Sequence, residues 1–223
     1  MEFELCRAVP GLTASRLIVL IPGANQHPDE LRTGGFLNAV RDRNLDIDIA
    51  LMAPQPAHLL DRSALAELHS RIVLPARAAG PVTVLLAGIS WGGFLALLYV
   101  VDHPTDLDGI CLLSPYLGNR MITTELLSFR SLGGWSAGMS DVRDELTEER
   151  RLWRYIAERR PDASPIRYLG FGKDDRFAAS QSLLADQLPP QAVDVIPGGH
   201  DANVWRELWN RLLDRLSAST AGF

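Results

Sequence analysis

Residues 85–94 read LLAGISWGGF (Leu85–Phe94), and within them Gly88-Ile89-Ser90-Trp91-Gly92 fits G-x-S-x-G. Alone the pentapeptide is a weak signal, because serine and glycine crowd many tight turns. Its flanks decide the reading. VTVLLA (Val82–Ala87) precedes it with strand character, and FLALLYVV (Phe94–Val101) follows as an apolar helix. A serine at a sharp strand-to-helix turn holds a strained backbone, and glycines two residues to either side remove the Cβ atoms that would collide. The hydroxyl then projects from the end of the strand.

Outward from this turn the chain alternates. Short aliphatic runs apolar on both faces read as buried strands: Leu17–Ile21, Ile47–Met52, Val82–Ala87, Ile110–Leu113, Ile166–Phe171 and Ala192–Ile196. Amphipathic segments lie between and after them: Pro28–Arg43, Leu59–Ala78, Gly92–Asp102, Glu145–Arg159, Phe177–Leu188 and Ala202–Ser217. Right-handed crossovers make of this an α/β fold, a mostly parallel sheet with helices on both faces. Phe3–Val9 adds an antiparallel edge strand. In such a sheet ligands sit beyond the carboxyl ends of the strands. The stretches there are PGANQ (Pro22–Gln26), GISWGG, SPYLGN, GKDDRF and PGGHD, where small, polar and ionisable residues collect.

A serine hydroxyl is a poor nucleophile unless a base takes its proton, so Ser90 requires a histidine on another strand-end loop. Of the five histidines, His27 follows the first crossover strand and could line a pocket. His58 and His69 belong to a helix, and His103 sits at the end of the helix after Ser90, where the dipole favours it. Only His200 follows the last strand, in VIPGGHD, where paired glycines let the loop turn its imidazole toward Ser90. That imidazole needs an orienting carboxylate. Asp174 and Asp175 both follow the fifth crossover strand; Asp175 is preferred, leaving Asp174 as a turn residue. Asp201 reads as the cap of the terminal helix. An oxyanion hole requires two N–H donors. Trp91 supplies one at the helix start, and the PGAN loop supplies the other through Ala24, with Asn25 either donating or shaping the turn.

The strings LIVLIPGAN, VLLAGISWGGFLALLYVVDHPTDLDGICLLSP, YLGFGKDDRF and VIPGGHDANVWRELWNRLL together resemble an α/β-hydrolase fold serine hydrolase over most of the chain. The tail GGHDANVWR is similar to the esterase D and enterochelin-esterase branch, which implies ester-type substrates. The resemblance implies Ser90 as nucleophile, Asp175 as acid, His200 as base, and Ala24 and Trp91 as oxyanion donors. The chain departs in having PGAN where many lipases and esterases carry an HGGG-type loop. It is short, with room for a small cap at residues 119–146, where Met121, Phe129 and Trp135 are candidates to line an acyl pocket. The same segment could instead be ordinary packing or the contact of a homodimer. Trp153, Trp205 and Trp209 fall at helical spacing and are expected in the core.

The 223 residues, 47% of them hydrophobic, carry a net charge of −5 with both signs interspersed. No basic face invites nucleic acid. One α/β-hydrolase domain over residues 1–223 is expected, cytoplasmic, with no signal peptide and no membrane span. Cys6 and Cys111 lie in strand-like runs and suit neither a metal cage nor a disulfide framework. No metal is expected, and no cofactor, since neither G-x-G-x-x-G nor a Walker lysine is present. The expected activity is cleavage of a small-molecule carboxylic ester or thioester through an acyl-serine. An acyltransferase with the same acyl-enzyme and a ligand-binding scaffold without chemistry remain alternatives.

Overall fold

The computed structural model describes residues 2–24, 26–53, 63–80, 82–138, 147–159 and 164–218. The expectations for Asn25, His58, residues 59–62 of the second helix and residues 139–146 of the cap segment fall outside them.

One seven-stranded sheet organises these residues, in the order β1-β3-β2-β4-β5-β6-β7. Its strands are β1 (Glu2–Cys6), β2 (Arg16–Ile21), β3 (Ile47–Ala53), β4 (Thr83–Ile89), β5 (Gly109–Leu113), β6 (Ile166–Gly172) and β7 (Val193–Ile196). β1 runs antiparallel to β3, and every other pairing is parallel. The chain leaves β2 for β3 on one side and returns to β4 on the other. This reversal opens a crevice beyond the carboxyl ends of β2 and β4. Both loops that the sequence singles out, PGAN and the Ser90 turn, leave the sheet there.

The period of two along each strand divides the core. Leu17, Val19 and Ile21 of β2 face one layer, while Ile18 and Leu20 face the other. On the second face lie α1 (Pro28–Thr33), α2 (Phe36–Asp42) and, C-terminally, α10 (Ala202–Ala218). On the first lie α3 (Ser63–Leu68), a π-helical turn (His69–Val73), α4 (Leu74–Ala78), α5 (Trp91–Asp102), α6 (Arg120–Leu127), α7 (Leu132–Gly138), α8 (Glu148–Glu158) and α9 (Ala178–Ala185). α5 is buried from Gly92 to Val100, which is why its sequence is apolar all round.

Two helices differ from their sequence reading. The segment Pro28–Arg43 is two helices, because Gly34 closes α1 and Gly35 adopts a left-handed backbone at φ +86°. The segment ending at Ala78 is α-helical at both described ends with a π turn between, in which Leu74 N–H donates to His69 O. Pro75, one residue further on, has no N–H to carry the regular ladder there. The cap segment, loosely patterned in sequence, forms α6 and α7. Its Ile122, Leu126, Leu132 and Trp135 join Leu152, Trp153 and Ile156 of α8 in the core.

Both described thiols are free. Cys111 is buried, and burial pushes its thiol up to about 12. Among the described residues no helix is long and apolar enough to cross a membrane.

Candidate active site

β4 ends at Ile89 and α5 begins at Trp91, so Ser90 must turn the chain by itself. It does so at φ 52°, ψ −113°, a backbone conformation that costs a non-glycine residue on the order of 1–3 kcal/mol. Three N–H groups hold the turn through one carbonyl: Gly93, Phe94 and Tyr116 donate to Ser90 O at 3.0, 3.3 and 2.9 Å. The flanking glycines are steric requirements. A Cβ on Gly88 would lie 2.3 Å from Gly92 O, and one on Gly92 would lie 2.2 Å from Ile21 O. Since the obstacles are backbone atoms, Gly92→Ala is expected to destabilise the fold by about 2 kcal/mol or more, read as a lower urea midpoint at unchanged slope.

His200 follows β7 in the loop closed by Gly198, at φ +117°. Its Nε2 lies 2.8 Å from Ser90 Oγ, and its Nδ1 lies 2.8 Å from Asp175 Oδ2. The three side chains come from loops 85 and 110 residues apart in sequence and form one hydrogen-bonded line. Asp175 is buried at 5% exposure. Its Oδ1 accepts Phe177 N–H at 2.8 Å, and its Oδ2 also accepts Gln181 Nε2 at 3.3 Å. Burial opposes its ionisation, but the hydrogen bonds from His200, Phe177 N–H and Gln181 outweigh it and hold the carboxyl below its ordinary value. Asp174 points elsewhere: it is exposed and accepts Gly198 N–H at 3.4 Å. Asp201 accepts the N–H groups of Asn203 and Val204 at the start of α10.

The PGAN loop passes close to the serine. A Cβ on Gly23 would lie 3.5 Å from Ser90 Cβ, and Gly23 N–H is taken by Gln26 Oε1 at 2.9 Å. Among the described residues, the N–H groups of Ala24 and Trp91 have no hydrogen-bond partner.

Other residues named from sequence lie apart from this line. His27 is the N-cap of α1, accepting Asp29 N–H while Glu30 closes a capping box, and its side chain is 71% exposed. It also lines a surface cleft with Glu4, Arg32 and Arg71, away from the hydrogen-bonded line of Ser90, His200 and Asp175. Trp135 is 1% exposed and donates to Glu125 Oε1 at 2.8 Å, so it belongs to the packing of α6, α7 and α8. Met121 and Phe129 face outward at 82% and 43% exposure. A cleft of about 460 Å³ between α6 and α9 is lined by Leu127 of this segment, with Thr123, Phe177 and Arg176, but not by Met121, Phe129 or Trp135.

The structure also adds residues to the site. Trp153 and Trp209 are core residues, their indoles donating to Leu117 O and Phe36 O. Trp205, expected with them, packs against the same core and also sets its ring edge to face with His200 at 5.2 Å. Phe177 does the same from the other element at 5.1 Å, and Tyr116 packs on Phe177 and Trp91. The signal for Phe177 and Tyr116 was available, since both lie in strand-end stretches, GKDDRF and SPYLGN. Gln181 lies one helical turn beyond Phe177, and helical spacing from a site residue is the signal that would have found it.

This architecture is shared widely. Over most of its length the chain aligns with solved structures of serine hydrolases. The fold is that of the α/β-hydrolases. FphF, a fluorophosphonate-binding serine hydrolase of Staphylococcus aureus solved with substrate bound, aligns at TM-score 0.61 and 14% identity, covering 94% of this chain and 86% of that one. S-formylglutathione hydrolase (FrmB) from Staphylococcus aureus aligns at 0.59 and 15%, covering 92% and 81%. Est1E from Butyrivibrio proteoclasticus aligns at 0.58 and 14%, covering 96% and 94%. No family model matches the sequence, and no curated protein matches it.

Proposed function

We propose that the chain is a serine hydrolase that cleaves a small-molecule carboxylic ester or thioester through an acyl-Ser90 intermediate. The observation that carries this reading is the unbroken line from Ser90 Oγ through His200 to Asp175, with 2.8 Å at each link. In this arrangement His200 Nε2 accepts the hydroxyl proton as Ser90 attacks the acyl carbon. Asp175, ionised and fixed by three donors, holds the imidazole with its proton on Nδ1 and balances the imidazolium that forms. The N–H groups of Ala24 and Trp91 receive the charge that develops on the acyl oxygen, worth on the order of 3 kcal/mol per donor. His200 then gives its proton to the leaving group, and a water repeats the sequence to release the acid. The names of two structural neighbours, S-formylglutathione hydrolase and a ferulic acid esterase, support ester-type chemistry.

The two rings against His200 fit this cycle. The edge-to-face pairs with Phe177 and Trp205 keep the imidazole from swinging out of line while it changes charge. An aromatic pair is worth about 0.5–1.5 kcal/mol, so Trp205→Ala is expected to lower kcat/KM by up to about tenfold. Trp205→Phe should retain most of the activity, because Trp205 Nε1 has no hydrogen bond to lose.

The test is covalent. A fluorophosphonate probe should label the protein once, and short p-nitrophenyl esters should yield free acid without an added acceptor. Failure to label over a range of pH would remove the enzymatic reading. Acyl product that forms only when an alcohol or amine is supplied would replace hydrolysis by acyl transfer.

A further inference from the structure

At the opposite end of α5 from Ser90, two histidines and an aspartate meet. His69 opens the π turn, and His103 is the C-cap of α5. Their rings stack 4.1 Å apart at 13°. Asp106 Oδ2 lies 3.4 Å from His69 Nδ1 and 3.5 Å from His103 Nδ1. All three side chains are half-buried, and their ligand atoms lie within 4.8 Å of one another. Tyr99 Oη lies 2.9 Å from His69 Nδ1.

We propose that His69, His103 and Asp106 form a binding site for one divalent transition-metal ion of the zinc type, clamping the π turn to the C-terminal end of α5. The separations carry the argument. Both carboxylate-to-imidazole distances exceed the ordinary N–H···O range of about 2.7–3.2 Å. They match the spacing of two ligands on a tetrahedral ion, about 3.4 Å apart when each bond is roughly 2.0–2.2 Å. The donor set selects the metal class: two imidazoles with one carboxylate suit zinc and its first-row neighbours, whereas calcium and magnesium demand oxygen. Three protein ligands leave a fourth position, for water or for the Tyr99 hydroxyl.

The surroundings are compatible with a cation. The partial negative charge at the end of α5 faces the site, where His103 N–H donates to Tyr99 O. Arg77 is a neighbouring positive charge. It is engaged by Asp108 at 2.9 Å, while its Nε donates to the backbone oxygen of Asp106 rather than to its carboxylate. The rings stack nearly parallel, so their in-plane lone pairs converge on one ion once one ring turns about Cβ–Cγ out of the stack. A π turn carrying a ligand residue is a frequent association at functional sites. The sequence hides this site because residues 69 and 103 are far apart and form no recognised ligand spacing.

The chelator-stripped protein, titrated with zinc or cobalt near neutral pH, should bind one equivalent, and cobalt should give the visible spectrum of a four-coordinate N/O site. Zinc at a hundredfold excess over its Kd should raise Tm by roughly 5–10 °C. The double variant His69→Gln/His103→Gln should lose the site, and Asp106→Asn should weaken it at least tenfold. His200→Ala should bind as the wild type does, which separates this site from the catalytic line. Circular dichroism of each stripped variant reports folding, and Asp106→Asn decides the matter if the double variant does not fold. No binding by the folded wild type, or equal binding by the folded variants, overturns the proposal.

Discussion

Ser90→Ala is expected to abolish fluorophosphonate labelling and to lower ester turnover by on the order of a millionfold, the loss typical when a triad nucleophile is removed. Residual catalysis should persist above the uncatalysed rate, because the free N–H groups of Ala24 and Trp91 are backbone atoms that the substitution leaves in place. Stability should change little. Ser90 Oγ caps no helix, and its described partner is His200 Nε2, which the variant leaves without a donor at a cost of about 1 kcal/mol. The strained backbone at φ 52° remains, since the three N–H groups that hold it donate to the main-chain carbonyl. Retained labelling in this variant would place the nucleophile elsewhere and dismantle the proposed mechanism. Lost turnover with an unchanged urea midpoint would assign the effect to chemistry rather than to folding.

How much of this was legible beforehand depended on what each residue does. Strands buried on both faces announce themselves as continuous aliphatic runs, so the sheet and its antiparallel edge follow from the sequence. The strand-end rule then brings Ser90, Asp175 and His200 to one crevice, because the sheet's topology sets which loops meet. Side-chain direction was less accessible. Trp205 and Trp209 both look like core residues of one amphipathic helix, yet the four-residue step between them carries one to the edge of His200 and the other under Phe36. His27 follows a strand as site residues do, but its ring is taken by the first turn of α1. Gly34-Gly35 broke a helix that periodicity alone runs through. In the cap segment, Trp135 and Phe129 have the same apolar character. Which one packs inward depends on α8, distant in sequence.

Asp175→Asn separates the two adjacent carboxylates most sharply. It keeps the shape of the side chain but cannot hold the imidazole with its proton on Nδ1, and turnover is expected to fall by on the order of ten-thousandfold. Asp174→Asn, altering an exposed residue that accepts Gly198 N–H, should cost only a few-fold. The reverse result would move the acid to Asp174. Asp175 also carries a pH signature. Its folded carboxyl is held below the ordinary value, so folding favours the ionised form. The stability this contributes is present above the unfolded value of about 3.9 and is lost as pH falls through the lower folded value. The stability gap between wild type and Asp175→Asn should therefore be widest near neutral pH and narrow in strong acid, read from urea midpoints across the range. The same low value keeps Asp175 ionised where activity is measured.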